Sequence, residues 1–192
     1  MKRRTAISRI LLTGAIGVGA FSGYEWYEWN KSPDFDYLDQ QGPPLAALAQ
    51  IILPPGPSSP GAADAGVHKD IIDFVKNCAP IQAANTFIDG LKDLSAYSRS
   101  SYGKEYPACT PEQQIAILKH FEEKTHHLKG LLGKAQDRYL GKPFFFLLRE
   151  YTVQCYCLSE LGGTKGLAYV AVPGSYQGCL PKAPGQRAWA TK

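Results

Sequence analysis

Between Pro43 and Gly162 apolar residues recur every three to four positions, which confines this stretch to helices packed along shared stripes. Leu45, Leu48, Ile51 and Ile52 keep that spacing until Pro54 stops it. Val67, Ile71, Phe74 and Val75 form a second stripe, and Ala84, Phe87, Ile88, Leu91 and Leu94 form a third after Pro80. Residues 54–66 (PPGPSSPGAADAG) have the composition of a loop, and residues 98–109 that of a polar, turn-rich link. Thr110-Pro111-Glu112-Gln113 is a helix start, with Thr as N-cap, Pro in the first turn and Gln three residues after the cap. The helix it opens is expected to carry Ile115, Leu118, Phe121, Leu128, Leu132 and Ala135 on one stripe as far as Gly141. Pro143 opens a further helix, FFFLLREYTVQCYCLSEL, closed by Gly162-Gly163. Its apolar residues occupy nearly every face, which marks either a buried central helix or one that also packs against another subunit. The expected class is mainly α.

The two ends differ from this body. After about residue 172 Gly, Pro, Tyr and Trp dominate and no helical period remains, so the tail is expected to be irregular and extended. At the start, MKRRTAISRILLTGAIGVGAF sets a basic segment with the Arg3-Arg4 pair before an apolar run from Ile10 to Phe21. That is the layout of a secretory signal, and the paired arginines point to the twin-arginine route and a periplasmic destination. The apolar run has 12 residues, short of the roughly 20 that span a bilayer as a helix. Cleavage after Ala20 and retention as an anchor at the inner membrane both stay open. The glycines of GAIGVGA do not make a dinucleotide loop, because no strand precedes them. The expected organisation is a signal over 1–22, an aromatic and acidic linker arm over 23–42, and a helical domain over 43–192.

Charge narrows the function. The formal net charge is +4, and Lys2, Arg3, Arg4 and Arg9 in the first twenty residues account for all of it. The rest is balanced, so the basic field that nucleic-acid binding needs is missing. The five cysteines are Cys78, Cys109, Cys155, Cys157 and Cys179. An odd count in an exported chain suggests up to two disulfides with one thiol left over, and the pairing stays open. Cys155 and Cys157 would point about 200° apart on a helix, which disfavours a shared metal. The four histidines show no HxxxH or HExxH spacing, and His126 and His127 beside Glu122, Glu123 and Lys124 read as a solvated face. PGSYQG lacks the spacing of a nucleophile elbow, and nothing beside Cys179 would lower its thiol pKa. No catalytic residues and no metal ligands are expected.

The twin-arginine start, the early helix ending in ILPP and the segment AADAGVHKDIIDFV resemble the small subunit of gluconate 2-dehydrogenase and related FAD-dependent sugar dehydrogenases. So does LLREYTVQCYCLSELGGTKGLAYVAVPGSYQGCLPKAPGQRAWA, with its run Y-V-x-V-P-G-x-Y-x-G-C-x-P and terminal tryptophan. The likeness covers about residues 40–190, and the Cys155-Tyr156-Cys157 cluster departs from it. It implies a subunit with no cofactor of its own, paired with a large flavoprotein of glucose-methanol-choline type that carries FAD and oxidises a sugar or sugar acid. A cytochrome c subunit passes electrons onward in such complexes. The small subunit helps the flavoprotein mature and escorts it through the twin-arginine translocase. Arg3 and Arg4 are then the export determinants. Tyr169, Tyr176 and Trp189, with Phe144, Phe145 and Phe146 behind them, are candidate partner contacts, because large aromatics anchor interfaces. Covering the chain's own core is the competing role for these rings. The rival readings are a stand-alone periplasmic thiol or redox protein and a membrane-anchored scaffold.

Overall fold

The computed structural model describes residues 31–57, 59–125, 141–172, 174–175, 179, 181 and 184–190. Among the described residues six α-helices form the body: α1 Phe35–Asp39, α2 Gly42–Ile52, α3 Val67–Asn77, α4 Ile81–Tyr102, α5 Pro111–Glu123 and α6 Phe144–Leu158. A 3-10 turn at Tyr106–Ala108 links α4 to α5, and a π turn at Gly162–Gly166 follows α6. Among the described residues no strand forms, only two isolated bridges, Gly56 with Ser59 and Ala168 with Trp189.

The apolar stripes build these helices as their spacing requires. Val67, Ile71 and Val75 of α3 are buried, as are Ala84, Phe87, Ile88, Leu91 and Leu94 of α4. Thr110 caps α5 with a reciprocal pair of bonds: its hydroxyl accepts from Gln113 N–H, and Gln113 Oε1 accepts from Thr110 N–H at 3.0 Å. Helix α6 is central, touching α2, α3, α4 and α5. Its inner face is sealed by aromatic contacts, with Tyr151 against Phe74 and Phe87 at ring separations of 4.9 and 5.6 Å. Gly90 of α4 is the point of closest approach: a side chain there would run into Phe144 at the start of α6. At the opposite end Tyr106 is fully buried, and its hydroxyl donates to Gln114 O while Gln114 Nε2 returns a bond to Tyr106 O.

Four expectations change. Residues 35–39 are helical and Leu38 is fully buried, so the packed body begins ahead of residue 43. Asp34 caps α1, and a hydrogen bond from Lys92 holds its carboxyl below the usual range, helped by Tyr37 N–H. Helix α4 runs on to Tyr102 because Ser98, polar in the sequence, is buried with its hydroxyl donating to Lys104 O. On α5 the inward residues are Ile117 and Leu118, whereas Ile115 is exposed, and the helix ends at Glu123. The expected continuation through Leu128, Leu132 and Ala135 lies outside the described residues. Helix α6 stops at Leu158, since Ser159 is extended, with ψ 151°. The Ser159 hydroxyl accepts from Gly162 N–H at 3.0 Å and so starts the next turn. A Cβ on Gly162 would collide with the Tyr156 carbonyl, so this junction requires glycine.

Candidate partner surface

After the π turn the chain becomes extended at Leu167, and Ala168 pairs with the C-terminal segment. Ala168 N–H donates to Ala188 O at 2.8 Å and Ala190 N–H donates to Ala168 O at 2.9 Å. Arg187 adds a bond from its guanidinium to Lys165 O. This two-segment ribbon is tied to the body through Tyr156, whose hydroxyl donates to Pro60 O at 2.7 Å and packs where a Cβ on Gly166 would sit. Large apolar side chains remain exposed on it, Val172 at 82%, Trp189 at 51% and Tyr169 at 50%, with Val170 exposed too, and Leu158 at the end of α6 is 77% exposed.

The candidate aromatics therefore fall into three groups. Tyr169 and Trp189 are both half exposed, but the bridge register pairs Trp189 with Ala168, and side chains alternate along an extended segment. They stand on opposite faces of the ribbon, not in one cluster. Phe144 and Phe145 are buried in the chain's own core, with Phe144 against Phe87 and Phe121 at 5.7 and 6.0 Å. Phe146 is half buried beneath the Arg149 guanidinium, in an open groove of about 550 Å³ along α6 that also includes Val153 and Cys157. Lys142 and Glu150 pair across that groove at 2.6 Å. Tyr176, Arg3 and Arg4 lie outside the described residues. Leu158, Val170 and Val172 were not singled out from sequence, although a short β-branched run bounded by Gly166 and Pro173 is a strand signal.

All five cysteines are free thiols in the structure. Cys109 is buried, 3.3 Å from the Ser98 hydroxyl. Cys155 is buried, and desolvation, reinforced by Asp70 and Cys78, pushes its thiol up to about 11. A thiol in that range is almost wholly protonated near neutral pH and is a poor nucleophile. Cys78 is exposed and opens onto the same cleft between α3 and α6 as Cys155. Cys157 faces the opposite groove, and Cys179 is exposed in the tail. Among the described residues no group of three or more His, Cys, Asp or Glu side chains is placed to hold a metal ion. No described helix is long and apolar enough to cross a membrane.

Searches of curated proteins and of solved structures each return no match. A family model described as gluconate 2-dehydrogenase subunit 3 matches residues 39–174, from the end of α1 through the exposed extended segment. That span is most of the chain and holds the entire core except Leu38. The chain belongs to the gluconate 2-dehydrogenase subunit 3 family.

Proposed function

We propose that this chain is the non-catalytic small subunit of a periplasmic FAD-dependent sugar or sugar-acid dehydrogenase. It binds the large flavoprotein of glucose-methanol-choline type, which holds the FAD, and assists its maturation and its export through the twin-arginine translocase. The complex stands at the inner membrane, where a cytochrome c subunit takes the electrons. One observation carries the partner-binding part of this reading. In a chain whose family is described as a dehydrogenase subunit, residues 158–172 and Trp189 leave large apolar side chains exposed. Apolar surface of that kind marks a contact with another chain. The raised thiol of Cys155 weighs against the rival in which that cysteine is a redox nucleophile.

The test is co-purification. The chain is co-expressed with a large flavoprotein dehydrogenase subunit bearing an affinity tag. The expected result is a yellow complex recovered from the periplasm, lost to the cytoplasm when Arg3→Lys and Arg4→Lys are combined. A colourless monomer exported alone would overturn the reading.

A further inference from the structure

We propose that the open groove along the outer face of α6 seats one amphipathic helix of the large dehydrogenase subunit, with a carboxylate of that helix on Arg149. The proposal rests on the partner reading above and specifies a second contact and its chemistry. Phe146, Arg149, Val153 and Cys157 stand three or four positions apart on α6, so they share one face and form a stripe about 17 Å long. The other faces of this helix are covered by α2, α3, α4 and α5. On the outer stripe Val153 is 41% exposed, and Phe146 and Cys157 are half buried. A central helix that is apolar on its outward side as well is suited to contact with another chain. The stripe also leads toward the exposed end of the molecule. A Cβ on Gly163 would meet Cys157 O at 3.5 Å, so the π turn lies where the stripe ends.

Backbone and charge together select the occupant. The peptide groups of α6 are bonded along its own turns and offer nothing to an incoming main chain. A strand or loop buried there would lose hydrogen bonds to water and gain none, whereas a helix satisfies its own. The side chains of a second helix, spaced three and four apart, pack between those of α6. Lys142 and Glu150 pair at 2.6 Å, so their charges cancel. Arg149 Cζ lies 5.1 Å from the Phe146 ring centre, and among the described residues no carboxylate pairs with this guanidinium. Contact with the ring restrains the guanidinium while its N–H donors stay free to take a carboxylate in a two-pronged pair. The groove therefore carries one uncompensated positive charge among apolar side chains. The helix that fits it has one carboxylate, flanked by apolar residues a turn to either side.

The experiment uses the co-expressed complex. Val153→p-benzoylphenylalanine, photolysed in that complex, is expected to cross-link to one helical segment of the large subunit. Arg149→Glu is expected to weaken the complex about tenfold or more, and Arg149→Lys, which keeps the charge and loses the two-pronged geometry, about threefold. Lys119→Glu makes the same charge change at an exposed position of α5 outside the groove, and should alter affinity less than about twofold. Helicity and Tm of the three charge variants should stay at the native values. If the complex forms but Arg149→Glu weakens it no more than Lys119→Glu, or position 153 gives no cross-link to the large subunit, the groove proposal is overturned while the partner reading stands. A cross-link to a strand or loop of the large subunit, to a second copy of this chain or within the chain itself gives the groove another occupant and overturns it as well. If no complex forms with the flavoprotein, both readings fall.

Discussion

Gly90→Ala is the sharpest test of the packing. An alanine in place of a glycine inside an exposed helix would stabilise it by about 1 kcal/mol. Here the added methyl would lie 2.5 Å from Phe144 Cβ and nearer still to its ring, against ordinary carbon contacts of about 3.5–4.0 Å. Phe144 cannot swing aside cheaply, because Phe87 and Phe121 hold its ring. Overpacking of a core costs about 1–3 kcal/mol, and a clash this close lies at the upper end, so the net effect after the propensity gain is a loss of about 2 kcal/mol. At about 2–4 °C per kcal/mol for a chain of this size, Tm should fall by about 4–8 °C. The assay is thermal unfolding followed by circular dichroism at 222 nm, on Gly90→Ala, Phe144→Leu and the double variant. Phe144→Leu alone should cost about 1–2 kcal/mol, and the double variant should be no worse, giving a coupling of about 1 kcal/mol or more. A higher Tm for Gly90→Ala, or strictly additive losses, would refute the claim that α4 and α6 meet at this glycine.

Thr110→Ala removes the hydroxyl that caps α5, and should destabilise the chain by about 1 kcal/mol in chemical denaturation; Thr110→Ser should recover most of it. A thiol-reactive probe at neutral pH should modify Cys78 and Cys179 first, with Cys109 and Cys155 reacting only on unfolding. Because burial raises the Cys155 thiol to about 11 and the Tyr151 hydroxyl to about 12, their contribution to stability is intact below the unfolded values of about 8.5 and 10. It is lost as pH climbs through the folded values, so denaturant midpoints should decline above about pH 9, less steeply in Cys155→Ala.

Long periodic stripes made most of this body legible. α3 and α4 give Val67–Val75 and Ala84–Leu94 several turns in which the helical period outweighs single-residue noise, and the Thr110–Gln113 cap marks its helix start by local chemistry alone. What stayed hidden was decided by tertiary contacts. The five residues of α1 are too few to show a period, and tertiary contacts fix them: the burial of Leu38 and the Asp34–Lys92 and Asp39–Lys76 pairs. Ile115 and Ile117 compete for the inner face of α5, and packing against the neighbouring helices buries Ile117 and leaves Ile115 exposed. The break at Ser159 depends on the close approach of Gly162 to Tyr156, although Ser followed three residues later by a turn glycine was a usable hint. At the partner surface, sequence located the extended end and two of its aromatics. It did not separate Phe144, which packs on Gly90, and Phe145, also buried in the core, from Tyr169 and Trp189, which remain at the surface.

The Ala168–Trp189 bridge closes a long excursion of chain with very little. Joining points some twenty residues apart costs about 3 kcal/mol of chain entropy before any constant is added. The two backbone hydrogen bonds and the Arg187 bond to Lys165 O return about 2–4 kcal/mol between them. The clasp thus sits close to balance, and it should open and reclose many times while the helical body stays intact. Anything that docks on this surface would meet a latch that the thermal motion of the chain already releases, so the exposure of Trp189 would be set by how often the clasp opens.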